Sequence, residues 1–101
     1  MKIEHMIKNE TIEIKPYSDL YYYEAQELSE YIMQNAKGSR KMIIDLEDVC
    51  YCSSAGIRTL MQAEMDMSKL DGLVLYNVND SLMKTFKLTG LDSVFNIVND
   101  L

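Results

Sequence analysis

Between Lys41 and Leu70 the chain passes from a short apolar run, through a pair of serines, into a helical pattern. That junction limits what the chain can fold into more than any other stretch. Lys41-Met42-Ile43-Ile44-Asp45-Leu46 is a run of the kind buried on both faces of a parallel sheet. Val49, Cys50, Tyr51 and Cys52 continue the extended chain to Ser53 and Ser54. Beyond the serines, Ile57, Leu60, Met61, Ala63, Met67 and Leu70 fall at helical spacings, and Met65 widens the apolar surface. Gly56 lets neighbouring backbone approach just inside the helix, where a larger residue would crowd it. The unit is strand, serine turn, helix. A helix start carries unpaired N–H groups and the positive end of the helix dipole, so an anion there is stabilised. Serine is equally a common N-cap where nothing is phosphorylated, and the residues alone leave both readings open.

The rest of the chain alternates in the same way. Residues 2–7 and 11–15 read as strands across the turn Lys8-Asn9-Glu10, with Pro16 ending the second because it cannot donate to a ladder. A first helix is predicted over Tyr22–Ala36, with Ala25, Leu28, Ile32 and Ala36 on one stripe and Gly38 closing it. The strand over 41–46 and the helix over 54–70 follow, then Gly72 and a strand over 73–77. Asn79 or Asp80 caps a short helix whose Leu82, Met83 and Phe86 face inward, and Gly90 stops it. A last strand is predicted over 94–98. The order β-β-α-β-α-β-α-β implies an α/β fold with a mostly parallel, mixed sheet. A length of 101 residues, without linker or repeat, suits one domain over 1–101.

Charge and composition exclude several functions. Ten basic against sixteen acidic residues give a net charge of −6, which argues against direct nucleic-acid binding. An acidic domain can still regulate transcription through a protein partner. No apolar run approaches the roughly 20 residues that span a bilayer. The start, Met1-Lys2-Ile3-Glu4-His5, lacks the apolar core of a signal peptide, so a cytosolic location is expected. Cys50 and Cys52 point to one face of an extended segment, too alike in direction for an easy disulfide, and are expected to be buried reduced thiols. With one distant histidine, His5, they make no convincing zinc site, and no cofactor is expected. His5 sits in the alternation Ile3-His5-Ile7 as a strand residue. Ser54 has no base beside it in the pattern, so an enzyme is not expected.

Four segments together resemble one known family. The run Leu46-x-x-Val49, then Ser53-Ser54-Ala55-Gly56-Ile57-Arg58-x-Leu60, is similar to the signature of STAS domains, specifically the bacterial anti-sigma factor antagonists. Ile43–Val49 resembles that family's third strand and the turn after it, and Leu73–Val78 its fourth strand. Leu88-Thr89-Gly90-Leu91 and then Phe95-x-Ile97 resemble its closing segment. The resemblance covers nearly the whole chain. The family often carries a final helix, for which only Asn99, Asp100 and Leu101 remain, so that helix is expected to be short or absent. The flank it would cover is then a candidate homodimer or partner surface, and the expected state is a monomer or weak homodimer.

The resemblance also implies a mechanism. In such antagonists a serine at the start of the second helix is phosphorylated by the anti-sigma factor, itself a serine kinase. The unphosphorylated form binds that kinase and frees the sigma factor, and a phosphatase restores it. Aligning on Gly56-Ile57 places the phosphoserine at Ser54. The preceding residue, often Asp in the family, is Ser53 here. A second acidic position, in a Gly-x-Leu-Asp motif, falls on Tyr21 after Leu20, with Asp19 the nearest carboxylate. The surface expected to meet the partner comprises Leu20, Tyr21, Tyr22 and Tyr23 with Ser53, Ser54, Arg58 and Met61. Tyrosines suit such a surface because they join a large apolar area to a polar tip. The alternative is a STAS subunit of a transport or signalling assembly, in which the serine turn is only structural.

Overall fold

Strands β1 (Ile3–Lys8) and β2 (Thr11–Pro16) form an antiparallel hairpin in the computed structural model, which describes residues 1–100. Asn9 and Glu10 make its two-residue turn with positive φ of 51° and 63°, a turn whose twist matches that of the strands it joins. Pro16 is the last residue of β2, opposite Ile3, rather than the first beyond it. Then come α1 (Tyr22–Asn35), β3 (Lys41–Asp45), α2 (Ser54–Met67), β4 (Leu73–Tyr76), α3 (Asp80–Thr89) and β5 (Asn96–Val98). The sheet order is β1-β2-β3-β4-β5, with every pair after the hairpin parallel. The predicted α/β order and mixed sheet are therefore present.

The strand order decides where the core lies. Parallel neighbours joined by right-handed crossovers, each stepping the same way across the sheet, carry all their helices to the same face. Ile12, Ile14, Met42, Ile44, Leu73 and Leu75 occupy alternate positions on that face. They form one cluster with Leu28, Leu60, Ala63, Leu82 and Phe86 from the three helices. The opposite face carries Glu13, Lys15, Ile43, Asp45, Val74 and Tyr76 and, among the described residues, no helix. The expectation that the 41–46 run is buried on both faces is thus corrected. Met42 and Ile44 are buried, whereas Ile43 between them is half-buried on the open side.

Helix ends also differ from the sequence reading. Helix α1 stops at Asn35, capped by Ala36, so Gly38 belongs to the following turn and does not close the helix. Helix α2 ends at Met67 rather than near 70, because the Met67 carbonyl accepts from Leu70 and Gly72 as the chain turns back toward β4. Leu70 is consequently exposed. Helix α3 follows the prediction: the Asn79 side chain accepts from the Leu82 N–H at 2.9 Å, and Gly90 ends the helix in the left-handed conformation that glycine adopts without steric cost. Leu82 and Phe86 are buried and Met83 is half-buried. Leu91–Ser93 form one 3-10 turn, and the last strand is shorter than predicted, leaving Val94 exposed. Asn99 and Asp100 are not helical, and Leu101 lies outside the described residues.

Candidate functional site

The serine turn is held by the loop that precedes α1. Leu20 and Cys52 form an isolated parallel bridge: the Leu20 N–H donates to the Tyr51 carbonyl at 2.9 Å, and the Ser53 N–H donates to the Leu20 carbonyl at 2.8 Å. One oxygen of the Asp19 carboxylate accepts from the backbone N–H of Cys50 at 2.7 Å and of Tyr51 at 3.2 Å. From the other side, the Asn79 side-chain amide donates to the Val49 carbonyl at 2.7 Å. Segment 49–53 is therefore fixed from both flanks before α2 begins. Such pairing matters because backbone polar groups left unpaired near a buried segment carry a full desolvation cost.

Gly56 completes the junction. A Cβ built there would stand 2.8 Å from the Leu20 carbonyl oxygen and 2.9 Å from the Leu20 Cβ. The first turn of α2 rests directly on Leu20, and only glycine fits. Leu20, expected at the partner surface, is accordingly fully buried. It supports that surface from beneath and presents no atoms to a partner.

The two serines have different tasks. Ser53 is the N-cap of α2, half-buried, and its Oγ accepts from the Gly56 N–H at 3.2 Å. Ser54 is the first helical residue and is exposed. No carboxylate lies in the first turn of α2, so the positive end of the helix dipole is not neutralised by the helix itself. Ser54 presents its hydroxyl where added negative charge is best tolerated.

The tyrosines gather at the same place. Tyr21, Tyr22 and Tyr23 are all exposed at the start of α1, and the Leu20–Cys52 bridge brings Tyr21 against Tyr51, ring centroids 5.2 Å apart. Tyr22 and Tyr23 meet edge to face at 5.4 Å. Tyr51 is itself half exposed and was not singled out from the sequence as a surface residue. Cys50 and Tyr51 are both exposed and Cys52 is buried, so no period-two alternation in the sequence could have marked Tyr51. Cys52 is buried and its thiol is pushed up to about 12 by burial and by the nearby Asp19 charge, while Cys50 is exposed. The expectation of two buried thiols on one face fails because this segment is a loop with a single bridge, not a strand.

Arg58 and Met61 are exposed on α2, one and two turns on from Ser54. The Thr59 hydroxyl donates to the Ala25 carbonyl at 3.3 Å, tying α2 to α1 just below the tyrosines. Tyr21, Tyr22, Tyr23, Tyr51 and Ser54 thus lie around the start of two adjoining helices, and Arg58 and Met61 continue from Ser54 along α2. His5 is distant in β1, beside Tyr31. Among the described residues no three His, Cys, Asp or Glu side chains are placed to hold a metal ion, and no helix is long and apolar enough to cross a membrane.

The comparisons with known proteins bear on the family and the fold. A candidate anti-sigma factor antagonist, BtrV of Bordetella bronchiseptica, is 31% identical over 72 residues, 70% of this chain and 62% of its own length. The matched region thus spans less than two thirds of that relative. A crystal structure of a candidate anti-sigma factor antagonist from Thermotoga maritima superposes with a TM-score of 0.89 at 20% identity, over 98% of this chain and 87% of that one. The Bacillus cell fate determinant SpoIIAA in its phosphorylated form superposes at 0.72 with 17% identity, over 98% and 93%. These two likenesses show the fold. The STAS domain model matches residues 2–101, and with nearly its whole length matched the chain belongs to the STAS domain family.

Proposed function

We propose that this protein is an anti-sigma factor antagonist switched at Ser54. In the unphosphorylated state it binds an anti-sigma factor that is also a serine kinase, through Tyr21, Tyr22, Tyr23, Tyr51, Arg58 and Met61 around the serine turn. Phosphorylation of Ser54 ends that binding, and a serine phosphatase restores it. The observation that carries the reading is the division between the serines: Ser53 is committed to capping α2, and Ser54 beside it is exposed. The naming of BtrV as a candidate antagonist supports the functional class.

The switch follows from local physics. A phosphoserine carries roughly −1.5 to −2 charge and three strong acceptor oxygens. At the first position of α2 that charge faces helix N–H groups, so the fold is retained. A partner seated on the tyrosines and on Ser54 would meet added bulk and would have to desolvate the dianion. A loss of ~3 kcal/mol weakens binding more than a hundredfold. No rearrangement of the domain is required.

The test is incubation with the cognate anti-sigma factor kinase and ATP, followed by peptide mass spectrometry. One phosphate is expected, retained in Ser53→Ala and lost in Ser54→Ala. Labelling that survives Ser54→Ala would move the site. A protein that neither accepts phosphate nor binds the kinase would favour the transport or scaffold role.

A further inference from the structure

We propose that the outer edge of β1 is the seam of a two-fold symmetric dimer, in which β1 pairs antiparallel with β1 of a second copy and Met6 lies on the axis. Strand β1 is the first strand of the sheet, and among the described residues nothing pairs with its outer side. Soluble proteins seldom leave a six-residue edge strand bare, because its free N–H and C=O groups are a template for another strand. This edge also exposes apolar side chains on both faces, Met6 at 65% and Ile7 at 53%.

Backbone parity determines which residues can bond outward. The Lys2 carbonyl accepts from the Tyr17 N–H at 3.0 Å, and Lys2 is followed by the paired Glu4, Met6 and Lys8 in the ladder with β2. Hydrogen-bonded pairs alternate along an antiparallel ladder. The even residues therefore bond inward to β2, and Ile3, His5 and Ile7 turn their N–H and C=O groups to the free edge. Symmetric pairing must match these odd residues with one another.

Charge then selects the register. The even side chains run Lys2, Glu4, Met6, Lys8, continuing to Glu10 in the turn, and share the helix-free face with Glu13 and Lys15. Centred on Met6, the pairing sets Glu4 of each copy against Lys8 of the other, Lys2 near Glu10, and His5 opposite Ile7. Every directly opposed ionic pair is then between opposite charges. Centred on His5 instead, Lys2 would face Lys8; centred on Ile7, Glu4 would face Glu10. Moving the axis to Glu4 or to Lys8 would set identical charges directly against each other, which destabilises a strand pair. Among axes from Glu4 to Lys8, which overlap most of the strand, the Met6 register alone satisfies both parity and charge. In it, each His5–Ile7 pair exchanges both backbone hydrogen bonds, and the two sheets become continuous. The pairing is isologous, so it closes at two copies. It also leaves the serine turn free, since β2 separates β1 from β3 and its continuation.

The experiment uses the full chain and two single variants at exposed positions, Glu4→Lys and Lys8→Glu, with circular dichroism to verify that each is folded. Sedimentation velocity of the wild type should show the dimer fraction rising between about 0.05 and 1 mM, as suits a small interface. Each variant alone faces like charges at both symmetric pairs and should associate at least about tenfold more weakly. Mixed one to one, they should recover the dimer, because a copy carrying lysine at both positions then faces a copy carrying glutamate at both. A wild type that stays monomeric at 1 mM overturns the proposal. So does a dimer that both variants leave intact, or a mixture that fails to recover association.

Discussion

Ser54 and Ser53 are adjacent and chemically identical, yet one hydroxyl closes a helix and the other faces solvent. Substitution should separate those roles. Ser54→Asp places a carboxylate at the positive end of α2, so its unfolding free energy should stay within ~1 kcal/mol of wild type. Its affinity for the proposed anti-sigma kinase should fall, while Ser54→Ala should bind as wild type does and resist inactivation by ATP. Denaturant melts and titrations measure the two effects independently. Equal affinity of Ser54→Asp and wild type would place the serine outside the interface. Gly56→Ala should be far more costly, roughly 1–3 kcal/mol, because the new methyl meets the Leu20 carbonyl oxygen at under 3 Å and α2 must shift. The cysteines allow a chemical check. Alkylation of the native protein near pH 8 should modify Cys50 alone. Cys52, held up to about 12 chiefly by burial, should label only once the chain is unfolded. Equal labelling of both would mean that the Leu20–Cys52 bridge opens readily.

At the level of elements, local chemistry and tertiary demand disagree in one informative place. The hairpin turn needs two residues with positive φ, and the chain supplies Asn9, which accepts that conformation, and Glu10, which does not. The turn survives because the Glu10 carbonyl accepts from the N–H groups of Arg40 at 2.7 Å and Lys41 at 3.3 Å, docking the hairpin onto the start of β3. Glu10→Gly removes the strain and leaves those bonds intact. It should stabilise the domain by about 1 kcal/mol, visible as a rise of roughly 4–8 °C in melting temperature. An unchanged or lower melting temperature would mean that the Glu10 side chain itself contributes to the native state.

The whole molecule is asymmetric across its sheet, with a helical layer on one side and, among the described residues, none on the other. Ile43 and Ile44 are neighbours in the same strand and test that asymmetry directly. Ile44→Ala opens a cavity in the common core and should cost about 2–5 kcal/mol. Ile43→Ala removes a half-buried side chain from the open face and should cost well under half as much. Comparable losses in the two denaturant curves would mean that the open face is covered in solution.

Much of this was legible in the residues. Strand and helix order, a serine cap at the start of α2, a cap at Asn79 or Asp80, and the Gly90 stop depend on spacing and on chemistry within a few residues, which a sequence states directly. The place of Ser54 at the start of α2 was legible for the same reason. Other features depend on contacts between segments far apart in the chain. The docking of Leu20 under Gly56, the stacking of Tyr21 on Tyr51, and the Asp19 carboxylate holding Cys50 and Tyr51 join residues about thirty positions apart. No local pattern encodes such pairs. The one-sided core was hidden too, because an apolar run reads alike whether one face or two are covered. Strand order settles it: crossovers of one hand, all stepping one way, lay every helix on the same side of the sheet.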